Sequence, residues 1–318
     1  MSMRERFYEL ASEALRNDER TAVVLADIGT AKIPKHPRRF NVGIREQLMI
    51  GVAAGLALEG YRPVVHSYAP FLVERPYEQL KVDLGHQDVG AVLVSCGASY
   101  DASVEGRTHQ APEDVAILSA LPGWTVQVPG HVVELERLLA RALRRDDRIY
   151  IRLSDEENHA PVLADGHGEG LVVLREGAGP LVVAVGPTLG ETMAATADLD
   201  VTLAYLSTVR PFPHDDLRAA LRGADVVLVE PYLAGTSAAE VSAALADRPH
   251  RLLALGVPNA EFRHYGEPHE HRAAHGLDAA GIRASLEAWT PAAEPASSEA
   301  RSRSGRCSTP AAGRSGDR

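Results

Sequence analysis

Short apolar runs alternate with longer helical patterns along the first half of the chain. The runs are rich in β-branched residues and apolar at successive positions, which is typical of parallel strands buried on both faces. They begin at Thr21, Pro63, Ala91, Thr125 and Ile149. Helical patterns lie between them and begin at Ile44, Arg75, Pro112 and Val132. This alternation predicts an α/β fold with a mainly parallel sheet and right-handed crossovers.

A second set of the same kind follows a stretch rich in Gly, Asp and His between residues 160 and 170. Its apolar runs begin at Leu181, Val201, Asp225 and Arg251. Helical patterns follow Thr188, His214 and Thr236, and another lies near the end of the second set. The sequence therefore predicts two domains, a larger one over residues 1–160 and a smaller α/β domain over residues 175–290.

The final segment, residues 291–318, differs in composition from the rest. It is dominated by Ala, Ser, Arg, Gly and Pro and contains no Leu, Ile, Val, Phe, Tyr, Trp or Met. Such a segment cannot bury enough apolar area to offset the entropy of ordering it. The sequence therefore predicts a disordered tail.

Composition and charge narrow the possible function classes. The chain has 33 Lys and Arg against 43 Asp and Glu, a net charge of −10, which argues against a nucleic-acid binder. No apolar run approaches the ~20 residues needed to cross a bilayer, and the N-terminus has no signal-peptide pattern. We therefore expect no membrane partner. Two cysteines cannot form a disulfide framework, so a reducing, cytoplasmic setting is expected.

Three segments carry candidate chemistry. Glu46 stands in the first turn of a long apolar helix, either as a complement to the helix dipole or as a buried functional acid. Tyr68 and Phe71 follow a strand end, where α/β proteins place ligand crevices, although aromatics are more often core residues. His109 lies on a loop and is either a structural histidine or a proton shuttle.

Two further motifs favour structural roles. Thr188, in VGPTLGET, is expected to be an ordinary helix N-cap rather than part of a phosphate cradle. Four histidines crowd one segment at positions 264, 269, 271 and 275, and His271 and His275 have the one-turn spacing of zinc ligands. Neighbouring glutamates and the lack of a nearby Cys favour a solvated polar surface there.

Together the three candidate segments resemble the transketolase family. NVGIREQ, from Asn41, is similar to its "VGIAEQ" signature, which is specific for thiamine diphosphate enzymes. YAPFL, from Tyr68, with the following RPYEQ resembles the family's aromatic pocket segment, and GRTHQAPEDVAILSALPG, from Gly106, resembles its "GPTHQ" loop. The resemblance extends from about Arg4 to Trp289. It implies a pyrimidine-binding domain followed by a transketolase C-terminal domain.

The resemblance covers only the C-terminal half of a full-length transketolase. The family's "GDG" motif, which holds Mg²⁺ and the cofactor's diphosphate, does not occur in the sequence. The resemblance therefore implies the C-terminal subunit of a split enzyme. Its expected partner is an N-terminal subunit that carries the diphosphate-binding domain and most of the Mg²⁺ site. Shared active sites in the family imply a heterotetramer.

The resemblance also implies roles for individual residues. Glu46 matches the carboxyl group that bonds the pyrimidine nitrogen of thiamine diphosphate and drives its imino tautomer. Phe71 matches the aromatic residue that stacks on the pyrimidine, and Tyr68 lines the same pocket. His109 matches the histidine that contacts substrate hydroxyls.

Substrate-binding positions depart from the family pattern. Arg4 matches an arginine that binds the substrate phosphate, and Glu105 stands near the position where the family usually has Asp. A second phosphate-binding arginine is expected after the last strand of the domain, in a segment "LSR". Here that segment is LSD, and Asp155 replaces a cation with an anion. This exchange is expected to weaken binding of a phosphorylated acceptor.

The predicted function is therefore that of a thiamine-diphosphate-dependent transketolase subunit. It transfers a two-carbon ketol unit from a ketose donor to an aldehyde acceptor. One alternative keeps the cofactor but changes the reaction, to that of a 1-deoxyxylulose-5-phosphate synthase-like or 2-oxoacid dehydrogenase β-type subunit. Another is a non-catalytic regulatory subunit, which retention of Glu46, Phe71 and His109 disfavours.

Overall fold

The computed structural model describes residues 1–163, 170–261 and 263–289. Most of the predicted linker and the whole predicted tail lie outside the described residues. The described part forms a mixed α/β structure with two mainly parallel sheets. The domain limits of 160, 175 and 290 remain predictions.

The strands, numbered in chain order, are these: β1 (Thr21–Leu25), β2 (Arg39–Asn41), β3 (Arg62–Tyr68), β4 (Val92–Cys96), β5 (Trp124–Gln127), β6 (Arg148–Arg152), β7 (Val172–Arg175), β8 (Leu181–Val185), β9 (Thr202–Leu206), β10 (Thr208–Arg210), β11 (Asp225–Leu233) and β12 (Arg251–Val257). The α-helices are these: α1 (Met3–Asn17), α2 (Glu46–Leu58), α3 (Tyr77–Gln79), α4 (Asp114–Ser119), α5 (Val132–Ala142), α6 (Leu189–Ala195), α7 (His214–Ala220), α8 (Ala238–Ala244), α9 (Pro268–Ala274) and α10 (Ala279–Trp289).

The first sheet has seven strands in the order β10-β5-β6-β4-β3-β1-β2. All its pairings are parallel except that of β10 with β5. Alternate strand residues face opposite sides, so Val23 packs with α1 and α5 while Val24 packs with α2 and α4. Both sides are therefore covered, as the doubly apolar runs in the sequence predicted.

The second sheet has five strands in the order β12-β11-β8-β9-β7, and only β7 is antiparallel to its neighbour. Helices α6 and α10 pack together, as do α7 and α8. Residues from both sheets, such as Val126 and Val183, belong to one continuous apolar core. Tyr205 of β9 adds a polar link to helix α5, because its hydroxyl donates to Glu134 Oε2 at 2.5 Å.

The sequence patterns located the long strands but gave some local structure incorrectly. The helix predicted from Arg75 is the short helix α3 followed by a π-helix over Leu80–His86, and an unpredicted π-helical turn over Pro70–Glu74 precedes it. The helix predicted from Pro112 begins at Asp114. Three short strands (β2, β7 and β10) and the first helix, α1, were not predicted, although α1 has a complete capping box at Ser2 and Glu5.

Candidate active site

The candidate residues gather at the carboxyl end of the first sheet. Tyr68 is the last residue of β3, and Phe71 lies in the π-helical turn that follows. Glu46 opens α2 shortly after β2, and His109 ends a 3₁₀ turn in the loop after β4. Because the carboxyl ends of parallel strands share one edge, these separate segments form one site.

Three aromatic side chains contact one another at this edge. The ring centroids of Tyr68 and His109 are 5.4 Å apart, and those of Phe71 and His109 are 5.0 Å apart. Tyr68 and Phe71 lie 6.2 Å apart, and all three pairs meet edge to face. The Thr108 hydroxyl lies 3.0 Å from His109 Nδ1, which leaves the other ring nitrogen of His109 for a ligand.

Glu46 is a buried carboxylate with one short ion pair. Its side chain is only 2% exposed, and its Oε2 accepts from Arg75 Nη1 at 2.7 Å. The carboxylate also stands at the N-terminus of a 13-residue helix, where the helix dipole stabilises negative charge. The Arg75 guanidinium lies 4.1 Å from the Phe71 ring centroid. Glu46 is thereby connected through Arg75 to the aromatic group.

Arg4 reaches the same site from α1. Its Nε donates to the Tyr8 hydroxyl at 2.8 Å, and its Nη1 donates to the Tyr68 hydroxyl at 3.4 Å. The guanidinium also lies 5.1 Å from the Tyr68 ring centroid. Tyr8 is in turn held by His66, whose Nε2 lies 3.2 Å from the Tyr8 hydroxyl. The structure therefore places a cation beside Tyr68, 64 positions away in the sequence.

Two carboxyl groups lie on the Arg4 side of the site. Buried Asp101 accepts from the Ser154 hydroxyl at 3.2 Å and from the Asp155 backbone N–H at 3.0 Å. Burial, reinforced by the negative charge of Asp155, raises the pKa of Asp101 to about 8. Burial also raises the pKa of Asp155, and the Arg4 guanidinium opposes that rise. Arg4 and Asp155 therefore act on each other electrostatically.

The first 159 residues match a family model described as the pyrimidine binding domain of transketolase. This match covers half of the 318-residue chain. The chain belongs to the transketolase family. The predicted fold class and the resemblance to this family are thereby confirmed.

Relatives of this transketolase-family chain differ in length and function. An uncharacterized 33.6 kDa protein in the fasciation locus of Rhodococcoides fascians is 50% identical over 87% of this chain and 91% of its own. The 6-deoxy-6-sulfo-D-fructose transketolase subunit SqwH of Clostridium sp. is 30% identical over 72% of this chain and 75% of its own. The 1-deoxy-D-xylulose-5-phosphate synthase 1 of Geobacter metallireducens is 32% identical over 89% of this chain, which spans about half (48%) of that enzyme.

Solved structures show the same fold. A split gene transketolase, described as an inactive β4 tetramer, superposes with a TM-score of 0.76 at 24% identity. The superposition covers 91% of this chain and 97% of that one. The transketolase of Campylobacter jejuni gives a TM-score of 0.75 at 19% identity over 91% of this chain, but only 46% of its own. At these identities the likeness concerns the fold alone.

In this transketolase-family chain, Glu46 and Phe71 offer a hydrogen-bond acceptor and an aromatic ring, a combination that suits a planar hydrogen-bond donor. The planar, cationic guanidinium of Arg75 already lies against Phe71 and donates a hydrogen bond to buried Glu46. Another planar group with a hydrogen-bond donor could make the same two contacts. A complete metal site is absent from the described residues, where no three His, Cys, Asp or Glu side chains are grouped to hold an ion. In the same ranges no helix is long and apolar enough to span a membrane.

Glu105 is less closely joined to the site than the sequence suggested. It is exposed and ends a separate 3₁₀ turn ahead of His109. The neighbouring Arg107 points elsewhere, because its Nη2 pairs with Glu113 at 2.8 Å. Gly106, between them, has a φ of 81° and packs against the Tyr265 ring, so the loop shape depends on glycine there.

Two structural interpretations of the sequence need correction. His271 is buried rather than solvated: its ring stacks on Tyr100, with centroids 6.0 Å apart, and its Nε2 lies 2.5 Å from the Tyr265 carbonyl oxygen. Thr188 does not cap α6 through its side chain. Its hydroxyl instead lies 3.0 Å from each of the carbonyl oxygens of Val185 and Val229, which share its one proton, and it accepts from the Val185 N–H at 3.1 Å. These bonds leave it unavailable to a phosphate.

Sequence reasoning missed Asp101, because nothing in the surrounding segment SYDASVEG indicates that this residue is buried. The raised pKa of Asp101 leads to a testable prediction about stability. Asp101→Asn is expected to raise the Tm more at about pH 8.5 than at about pH 5. The raised pKa means that the folded state favours the protonated carboxyl. The native protein therefore loses stability as pH rises from about 4 to about 8, whereas an amide keeps an acceptor oxygen and never ionises.

The expected gain at about pH 8.5 is about 4–8 °C, which corresponds to about 2 kcal/mol, and thermal unfolding measures it. The control is Glu157→Gln, at an exposed neighbour, which should show no pH-dependent difference. Equal gains at both pH values would show that Asp101 is already ionised in the folded protein.

Proposed function

We propose that this chain is the pyrimidine-binding subunit of a thiamine-diphosphate-dependent transketolase. The reaction transfers a two-carbon ketol unit from a ketose to an aldehyde. The observation that supports this most directly is the buried Glu46 carboxylate, which Arg75 connects to Phe71 at the edge of the sheet where His109 and Tyr68 meet. Family membership supplies the cofactor class, since transketolases and deoxyxylulose-phosphate synthases depend on thiamine diphosphate.

Each residue of the site has a distinct part in this proposal. Thiamine diphosphate, when bound, supplies a nucleophilic carbon that holds the transferred unit. Glu46 would hold a proton at the pyrimidine ring nitrogen and so favour the imino tautomer, while Phe71 stacks on the ring. His109, with one ring nitrogen near Thr108, would contact substrate hydroxyls. Tyr68 contacts the rings of both Phe71 and His109, and its hydroxyl accepts a hydrogen bond from Arg4.

The acceptor is proposed to be neutral or cationic rather than phosphorylated. Arg4 is the cation beside Tyr68, but its charge is opposed by Asp155, whose pKa it influences. A phosphate dianion at this edge would approach one cation and one anion instead of two cations. Asp155 is exposed, so solvent screens its charge, but an exchange of cation for anion a few ångströms from a dianion is still worth about 1–3 kcal/mol. That is large enough to change the preferred acceptor.

A second candidate is a deoxyxylulose-phosphate synthase-like activity, which the 32% identity to the synthase of Geobacter metallireducens favours. The two reactions differ in donor, because the transketolase uses a ketose and the synthase pyruvate. Product analysis with each donor separates them. A ketol product from the ketose alone supports the first candidate, and product from pyruvate alone supports the second. A 2-oxoacid dehydrogenase β-type subunit would also use an oxoacid, and a regulatory subunit would use neither.

We propose that a separate diphosphate-binding subunit completes the active site, in a heterotetramer with two copies of each chain. The chain spans only about half of the synthase it matches, and SqwH is itself named as a subunit. The chain also lacks a GDG motif. A neighbouring reading frame of about 270 residues that contains GDG and a downstream Asn would support this proposal.

The isolated chain is expected to bind thiamine diphosphate weakly and to be inactive. The pyrimidine site accounts for only part of the cofactor, and the described residues offer no metal site for its diphosphate. Calorimetry with thiamine diphosphate and Mg²⁺, on the chain alone and after addition of the partner, measures the difference. Micromolar affinity of the chain alone would contradict the proposed half-site.

A further inference from the structure

Arg75 connects the two groups on which the proposed pyrimidine site depends. Its Nη1 donates to Glu46 Oε2 at 2.7 Å, and its guanidinium carbon lies 4.1 Å from the Phe71 ring centroid. The Arg75 side chain is 37% exposed, whereas that of Glu46 is 2% exposed. The guanidinium therefore reaches from the solvent into the pocket.

Burial explains why Glu46 needs such a partner in the empty pocket. A carboxylate removed from water is costly unless a positive charge and hydrogen bonds replace its hydration. Among the described residues, Arg75 is the cation paired with Glu46. The planar guanidinium also gains a favourable contact with the Phe71 ring face. Arg75 thus neutralises Glu46 and packs on Phe71 at the same time.

A protonated aminopyrimidine would make the same two contacts as the Arg75 guanidinium. It is planar, donates a hydrogen bond to the Glu46 carboxylate and stacks on Phe71. We propose that Arg75 is a displaceable stand-in for the cofactor ring, a role that rests on the function proposed above. Arg75 neutralises Glu46 while the pocket is empty and swings toward solvent when the pyrimidine enters.

The surroundings of Arg75 allow this movement. Within the described residues its side chain makes one hydrogen bond, to Glu46, so leaving breaks no other polar contact. The guanidinium is already partly in water, which keeps the cost of full hydration small. Arg75 follows a five-residue π-helical turn, and its backbone is fixed independently of its side chain. Its N–H donates to the Pro70 carbonyl oxygen at 3.0 Å, and its own carbonyl oxygen accepts from Gln47 Nε2 at 3.3 Å.

The test is the affinity of Arg75→Met for thiamine diphosphate. The full-length variant is assembled with the diphosphate-binding subunit and titrated calorimetrically at saturating Mg²⁺. Removal of the competing guanidinium should tighten binding about 5-fold, as expected for loss of a partly exposed ion pair. The matched control is Arg45→Met, at an exposed arginine next to Glu46, which should change the affinity less than 2-fold.

The unloaded protein provides a second measurement. Arg75→Met leaves the Glu46 charge without a partner, so the empty variant should unfold at a lower temperature than the native chain. Saturating thiamine diphosphate and Mg²⁺ should then raise the Tm of the variant complex more than that of the native complex, since tighter ligand binding gives a larger shift. Arg75→Lys keeps a charge but has no planar face, so it should give intermediate values in both measurements.

Weaker or unchanged binding by Arg75→Met would overturn the proposal, because Arg75 would then remain on Glu46 in the loaded site. If the methionine variant does not fold, the lysine variant decides: tighter binding supports displacement, and equal or weaker binding overturns it. Failure of the native assembly to bind thiamine diphosphate at all would instead overturn the proposed function, and this inference with it.

Discussion

Glu46→Gln is expected to lower turnover by at least ~100-fold in the assembled enzyme. The amide keeps the shape of the side chain but loses the charge that favours the imino tautomer, and losses of this size are typical when acid–base assistance is removed. The fold should be retained, because Arg75 can turn toward solvent when its partner is neutral. Steady-state kinetics with a ketose donor and an aldehyde acceptor measures the effect.

The matched control for this substitution is Glu59→Gln. Glu59 is exposed at the other end of the same helix and should tolerate the same chemical change without loss of rate. Circular dichroism and thermal unfolding of both variants separate a catalytic effect from misfolding. If Glu46→Gln retains most of the native activity, Glu46 serves only the helix dipole and the ion pair with Arg75.

Asp155→Arg is expected to lower the KM for a phosphorylated aldose acceptor by roughly 5- to 150-fold. The change from −1 to +1 a few ångströms from a dianion is worth on the order of 1–3 kcal/mol after screening. It would also remove the anion that now opposes Arg4. The native enzyme should prefer the unphosphorylated acceptor, and paired kinetics with matched phosphorylated and unphosphorylated aldoses tests both statements.

Glu157→Arg is the control for the Asp155 experiment. It makes nearly the same charge change two residues further along, at a position that is exposed as Asp155 is. A specific subsite predicts a response at position 155 that is much larger than at 157. Equal acceptor preference in the native enzyme, together with no response to Asp155→Arg, would place Asp155 outside the substrate channel.

Long, strongly patterned segments could be predicted from the sequence. Strands β1, β4, β8 and β9 are each five residues long, mainly apolar and buried throughout, and the sequence located them near their correct positions. The missed strands β2, β7 and β10 have only three or four residues, too few for a periodic signal. Their positions depend on neighbours that are distant in sequence.

The residues of the candidate site also fall into those that a local motif predicts and those that depend on a distant partner. Glu46, Tyr68, Phe71 and His109 were found because they lie in short motifs, and the structure brings all four to one sheet edge. Arg75 was not singled out as a site residue, because its pairing depends on Glu46, 29 positions away. Such pairings form only when the chain is folded, so no local pattern reports them.

His271 shows how local composition can mislead. Its neighbours include Glu267, Glu270 and two exposed histidines, which is the composition of a surface. The residue is nevertheless buried, because α9 brings it against Tyr100 from the loop after β4. A packing partner about 170 positions away is invisible to any pattern within the segment.

Strand β10 has a consequence for engineering the protein. It follows β9 of the second sheet directly along the chain, yet it pairs with β5 at the border of the first sheet. A fragment that stops near residue 160 would leave β5 with unpaired backbone groups, an open template for intermolecular strand pairing. Recombination with a relative at the predicted boundary would exchange this protective strand too. A chimera is therefore expected to stay monodisperse only if residues 208–210 and β5 come from the same parent.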